Sequence, residues 1–181
     1  MYTTRQPIDP QRVMPPEPHH YRARAALDNI TTFTAAHPEL SFEDTYNLIA
    51  AILIVQPTFY VLKAVLKKYA HRGEFQLMSF RLPPAMLEYA LSHGMGDLPL
   101  LFAEYGPVTN RALEIAVRMN ASKFFIKHSA DVYPTLDNCV AWLRLAKERK
   151  YRKLYEPLED LIAAHNEDME DKRATALDWS F

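Results

Sequence analysis

Apolar residues recur along this chain in short runs at three- and four-residue spacing, and each run ends at proline, glycine or a small polar residue. That period is the mark of amphipathic helices; no stretch alternates as a half-buried strand does. The longest run, "DTYNLIAAILIVQPTFYVLKAVLKKY" from Asp44 to Tyr69, carries no charge between Tyr46 and Leu62. Its length is at the lower edge of what a bilayer core of ~30 Å requires. Gln56-Pro57 interrupts it, however, and a proline inside a helix removes a hydrogen bond and clashes with the preceding turn. The pattern therefore predicts two apolar helices meeting at Gln56-Pro57, with Pro57 opening the second, and no membrane span.

Further elements follow from the same spacing. Tyr21 to His37 is expected as a first helix, with Ala23, Leu27, Ile30 and Phe33 in phase. Ser41 is suited to N-cap the next, ahead of Glu43 and Asp44. In that helix Phe42, Tyr46, Ile49 and Leu53 form one apolar stripe and Leu48, Ile52 and Val55 another, as in a helix buried on two sides. Its partner, Pro57 to Ala70, turns Phe59, Leu62 and Leu66 inward and Tyr60, Lys63 and Lys67 outward. Later pairs are Pro84–His93 with Asp97–Tyr105, and Asn110–Met119 with Ser122–His128. Thr135 caps a helix bearing Leu136, Cys139, Val140 and Leu143. A longer helix from Tyr151 through Ile162 is expected to kink at Pro157. "MLEYAL", "ALEIAV" and "NCVAWL" follow one another at an offset of 26 residues. Four hairpins of similar design predict an all-α, right-handed α-solenoid over residues 21–165; an irregular helical bundle is the alternative.

The flanks differ from this body. Residues 1–20 hold Pro7, Pro10, Pro15, Pro16 and Pro18 and are expected to form an extended arm. Ile8, Val13, Met14, Pro15 and Pro16 are its candidates for contact with a neighbouring subunit. Residues 166–181 form a tail that begins charged and ends in Trp179 and Phe181, two large apolar side chains suited to docking.

Composition narrows the function. The chain has 181 residues, 49% of them hydrophobic, and a net charge of -1, without the basic excess of a nucleic-acid binder. No signal peptide is expected. Cys139 is the only cysteine, so no internal disulfide and no multi-cysteine metal site is possible. On an apolar helix face it reads as a buried, inert thiol. His19-His20 lacks further ligands at metal-site spacing. The histidines at 37, 71, 93, 128 and 165 fall mostly where helices end and an imidazolium is favoured. Gly73, Gly94, Gly96 and Gly106 each lie where an apolar run stops, and no phosphate-cradling glycine loop is present. Glu156, Glu159 and Asp160 are crowded carboxylates, as many helix surfaces carry. "KERKYRK", Lys147 to Lys153, suits either an anionic partner or simply a helix C-terminus. No catalytic residue, cofactor or metal site is expected.

"FEDTYNLIAAIL", "TNRALEIAVRM" and "LDNCVAWLRLAKERKYRKLYEPLEDL" resemble helices of pentatricopeptide-type repeats, over about residues 41–165. The offset of 26 is shorter than that family's repeat, and "MLEYALSHGMGDLPLLFAEYG" also resembles a degenerate ankyrin repeat. In outline the chain is similar to the pentatricopeptide-like accessory subunits carried on the alpha subunit of the euglenozoan mitochondrial ATP synthase catalytic head. That resemblance implies a non-catalytic, protein-binding subunit on the matrix side of the inner membrane, serving ATP synthesis. Its partners would be other subunits of the complex, without nucleic acid, membrane insertion or self-association. The alternative is an RNA-binding pentatricopeptide protein of an organellar ribosome or RNA-processing complex.

Overall fold

The computed structural model describes residues 18–70 and 80–178, with side chains placed for 20–70, 80–170 and Lys172. Every regular element among the described residues is helical. They fall into two compact units, the first ending at Pro107 and the second beginning at Val108.

The first unit opens with α1 (Pro18–Asp28) and α2 (Ile30–Ala36). One helix was expected here, and Asn29 divides it. Its backbone is extended (φ -155°, ψ 94°) and its side chain accepts a hydrogen bond from the Thr32 amide. A local side-chain acceptor thus replaces a turn of helix, as asparagine favours at N-caps. Pro18, expected in the arm, instead starts α1; proline is tolerated there because the amide it lacks would have no intrahelical partner.

α3 (Phe42–Val55) follows Ser41, whose Oγ accepts the Asp44 amide at 3.0 Å and donates to Asp44 Oδ2 at 2.8 Å. Leu48 through Leu53 are buried without interruption. Neighbours on several sides are needed for that, and α1 and α4 (Phe59–Tyr69) supply two of them. Val55, expected in a stripe, is exposed at the helix end. Gln56 is extended, the conformation that a following proline imposes, and the break falls at Gln56-Pro57 as the pattern required. Pro57 does not open the second helix, however; the chain stays extended through Thr58 and α4 starts at Phe59. α4 buries Val61, Leu62, Val65, Leu66 and Tyr69, and the Tyr69 hydroxyl donates to the His37 carbonyl at 2.7 Å. The unit ends in the hairpin of α5 (Pro84–Ser92) and α6 (Leu98–Ala103).

The second unit contains α7 (Asn110–Arg118), α8 (Ser122–Val132), α9 (Leu136–Glu148), a 3-10 turn at Arg152–Leu154 and α10 (Tyr155–Asp178). α7 packs on α8 and on α9, and α9 packs on α10. α9 turns Cys139, Trp142 and Ala146 inward, one stripe at three- and four-residue spacing. Val140, expected inside, is exposed because it falls off that stripe. The kink expected at Pro157 is absent: the helix starts at Tyr155, so Pro157 sits in its first turn, where amides lack intrahelical partners. α10 also runs through residue 166, where a separate tail was expected to begin.

The 26-residue offset marks a recurring local design. The N-caps of α5, α7 and α9 are Pro83, Thr109 and Thr135, spaced by 26 residues. All three helices close in the same way. The amides of Gly94, Asn120 and Lys150 donate three residues back, and those of Met95, Ala121 and Tyr151 donate five back, to the carbonyls of Ala90, Ala116 and Ala146. This is the Schellman closure, and it requires a left-handed residue, here Gly94, Asn120 and Lys150 with φ of 62°, 56° and 60°. The three alanines are buried.

Candidate partner-binding surfaces

The partner-binding residues expected from the sequence, Ile8, Val13, Met14, Pro15, Pro16, Trp179 and Phe181, lie outside the described residues. What the structure places are surfaces on the helices themselves.

α8 buries Phe124, Phe125, His128 and Ser129. Residues one step off that stripe must face outward, and Ile126 is 53% exposed. Ala130 and Tyr133 follow it at i+4 and i+7 and are also exposed, forming one apolar line flanked by exposed Lys123 and Lys127. Met119, exposed, precedes this helix in the α7–α8 turn.

Tyr133 is held in an unusual way. It caps α8 in the left-handed region (φ 47°, ψ 71°), a conformation rare for a bulky residue. Its hydroxyl donates to Asp168 Oδ2 at 2.7 Å, and its ring lies 4.5 Å from that of His165. His165 Nε2 in turn donates to the Pro134 carbonyl at 2.7 Å. The hydrogen bond to Asp168, with lesser contributions from burial and the carboxylate charge, raises the phenol above its usual range. The group clasps α10 to the α8–α9 turn.

His128 departs from the expectation that its imidazole sits at a helix end. It is buried within α8, its ring centroid 4.8 Å from that of Phe124, and its Nε2 has no hydrogen-bond partner among the described residues. Burial, reinforced by Lys127, pulls its pKa below the ordinary 6.5, against the opposing pull of Asp131 at 4.0 Å. The folded state thus binds this proton less readily than the unfolded chain. The stabilisation from the neutral ring is complete above pH 6.5 and is lost as the pH falls from there through the folded pKa. Thermal melting from pH 7.5 down to 5 should show that acid-side loss, and His128→Phe should flatten it. An equal slope in both proteins would assign the acid sensitivity elsewhere.

The basic run behaves as a helix end. Lys147 is in the last turn of α9 and pairs with Glu159 of α10 at 2.8 Å. Arg149, Lys150, Arg152 and Lys153 are exposed around the turn. Cys139 is buried and its Sγ lies 3.8 Å from the Pro134 carbonyl; burial pushes the thiol up and leaves little nucleophilic thiolate. Among the described residues no three His, Cys, Asp or Glu side chains gather as metal ligands, and no helix is long and apolar enough to cross a membrane.

The first unit carries a cleft of about 470 Å3 between the α3–α4 and α5–α6 turns. Pro57, Phe59, Tyr60, Met95, Gly96, Asp97 and Leu98 line it, and Tyr60 is 82% exposed. Lys63 Nζ stands 5.8 Å from the Phe59 ring centroid, a cation–π contact that fixes one wall. Periodicity had marked Tyr60 only as part of a polar edge. No protein family, curated protein or solved structure matches the chain.

Proposed function

We propose that this chain is a non-catalytic accessory subunit of a mitochondrial complex, bound to the alpha subunit of the F-type ATP synthase catalytic head on the matrix side of the inner membrane. The observation that carries a binding role is the outer face of α8. Ile126 and Tyr133 are large apolar side chains exposed on a well-packed helix, the kind of anchor that dominates interfaces. In the same reading the helices form a right-handed α-solenoid of about four hairpins. Support comes from the N-caps spaced by 26 residues, the three matching closures and the packing of α7 on α9. The choice of the ATP synthase head rests on the resemblance in outline.

Co-sedimentation with purified catalytic head tests this. The full chain should bind at micromolar concentration, and Ile126→Asp should weaken binding at least about tenfold, the loss of one interface anchor. Failure of the unaltered chain to bind would end the proposal. The exposed cations at Arg149, Lys150, Arg152 and Lys153 favour RNA as a second reading. The net charge of -1 opposes it, so any attachment to RNA should be weak and vanish with salt. Tight binding of a defined RNA at physiological salt would reverse the order of the two readings.

A further inference from the structure

We propose, on the reading of the outer face of α8 as a binding surface, that it receives an amphipathic helix of a partner protein. That helix carries two carboxylates and one basic side chain, spaced by four residues, beside its own apolar line. The starting point is a set of charges that the dipole of α8 opposes. Acidic residues are favoured in the first turn of a helix and basic ones in the last, because the dipole attracts them there. α3 and α9 follow that rule: Glu43 and Asp44 open the one, and Asp137 opens and Lys147 closes the other. α8 reverses it. Its first turn holds Lys123 and no acid, and its last turn holds Asp131 and no base. Lys127 adds a like charge four residues from Lys123, which an isolated helix also disfavours. The helix by itself gains nothing from this order.

The three charges stand beside the apolar line of Ile126, Ala130 and Tyr133. Lys123, Lys127 and Asp131 share one flank, at i, i+4 and i+8, and all are exposed. The Asp131 side chain is 79% exposed although His128 Nδ1 lies 4.0 Å away. Neither lysine makes an ion pair among the described residues. On the other side of the line stand Ser122 and the buried Ser129, both uncharged.

Ala130 leaves a notch between Ile126 and Tyr133, where a large side chain of a second helix can seat as ridges enter grooves. Tyr133 is already ordered as one wall of that notch. Its hydroxyl is bound to Asp168 and its ring lies against His165, so little rotamer entropy is left to lose on binding. A helix that fills the notch brings its own flank along the charged row. Carboxylates opposite Lys123 and Lys127 and a base opposite Asp131 satisfy that row, whereas the reverse order meets like charges at all three places. Running parallel to α8, such a helix has its acids first and its base last, the order that its own dipole favours.

Two synthetic helical peptides test this on the full chain. Both carry leucine at i, i+4 and i+7. On the facing flank one has Glu, Glu and Lys at four-residue spacing, and the other has Lys, Lys and Glu. The first should bind at least about tenfold more tightly, by a margin that narrows as salt screens the charges. Lys123→Glu with Lys127→Glu and Asp131→Lys should invert the preference. This triple variant should melt no lower than the unaltered chain, since its charges follow the helix dipole. Equal affinity for the two peptides, no binding of either, or a preference that the triple variant retains would overturn the proposal. A lower melting temperature would overturn it too, by assigning the three charges to the fold. So would binding to vesicles of equimolar phosphatidylcholine and phosphatidylserine that the triple variant loses, which gives the face to a membrane surface. Co-sedimentation with the catalytic head separates the partner's chemistry from its identity. A head that does not bind, beside an inverted peptide preference, ends only the assignment to that complex. A head that binds the triple variant as well as the unaltered chain ends only the proposal for α8.

Discussion

Phe125→Ala is expected to cost the second unit about 3–5 kcal/mol, the largest single-residue loss anticipated on α8. Phe125 is fully buried, and its ring meets Trp142 of α9 edge to face with centroids 6.1 Å apart. Truncation removes the apolar surface of the ring and leaves a cavity that the surrounding helices close only in part. A unit of this size holds on the order of 4–11 kcal/mol in total, so the loss takes a large share of it. Urea denaturation followed by circular dichroism and by fluorescence of Trp142 should register it. Ile126→Ala is the matched control, one residue along the same helix but exposed, and should stay within about 0.5 kcal/mol. Equal losses at the two positions would mean that α8 does not bury the face assigned to it.

That pair also shows where the sequence was legible. Ser41 and Thr135 are caps that chemistry announces, and both accept an amide three residues on. The break at Gln56-Pro57 is as plain, because few residues constrain their neighbours as proline does. Asn29 was hidden, since asparagine is tolerated inside a helix and only its bond to Thr32 reveals that it divides one. Pro157 misled for a different reason. Whether proline kinks a helix or begins one depends on where the helix starts, and apolar phase alone does not fix a start within a turn. Asn120 could be foreseen as a left-handed closure, but Lys150 could not, because lysine has no local preference for that region.

The candidate surfaces were less legible than the fold. Periodicity identifies what is buried, so an outward residue such as Ile126 appears only as a remainder, once the stripe of Phe124, Phe125, His128 and Ser129 is drawn. The cleft at Tyr60 depends on two turns far apart in sequence. The Tyr133–Asp168 bond spans 35 residues, which no local pattern encodes. A chain that works through such surfaces thus discloses its framework long before its contacts.

Gly106→Ala should destabilise the first unit by about 1–3 kcal/mol, although only one methyl group is added. The cause is not a left-handed backbone but proximity. A β-carbon at Gly106 would stand 2.5 Å from the Leu82 carbonyl oxygen, and 3.3 Å from its carbonyl carbon. These are backbone atoms and cannot rotate aside as a flexible side chain can. Next to the contact, the Leu82 amide donates to the Tyr105 carbonyl at 2.7 Å, tying the strand of chain that enters α5 to the loop that leaves α6. Relieving the overlap stretches that bond, which adds about 1 kcal/mol to the cost of displacing buried Leu82. Hydrogen exchange locates the effect: the Leu82 amide should exchange faster in the variant, and α5 and α6 should lose protection ahead of α3. Leu82→Ala, which keeps the carbonyl and therefore the clash, should not rescue Gly106→Ala. A variant as stable as the parent, with Leu82 still protected, would show that the two segments do not approach as closely as described.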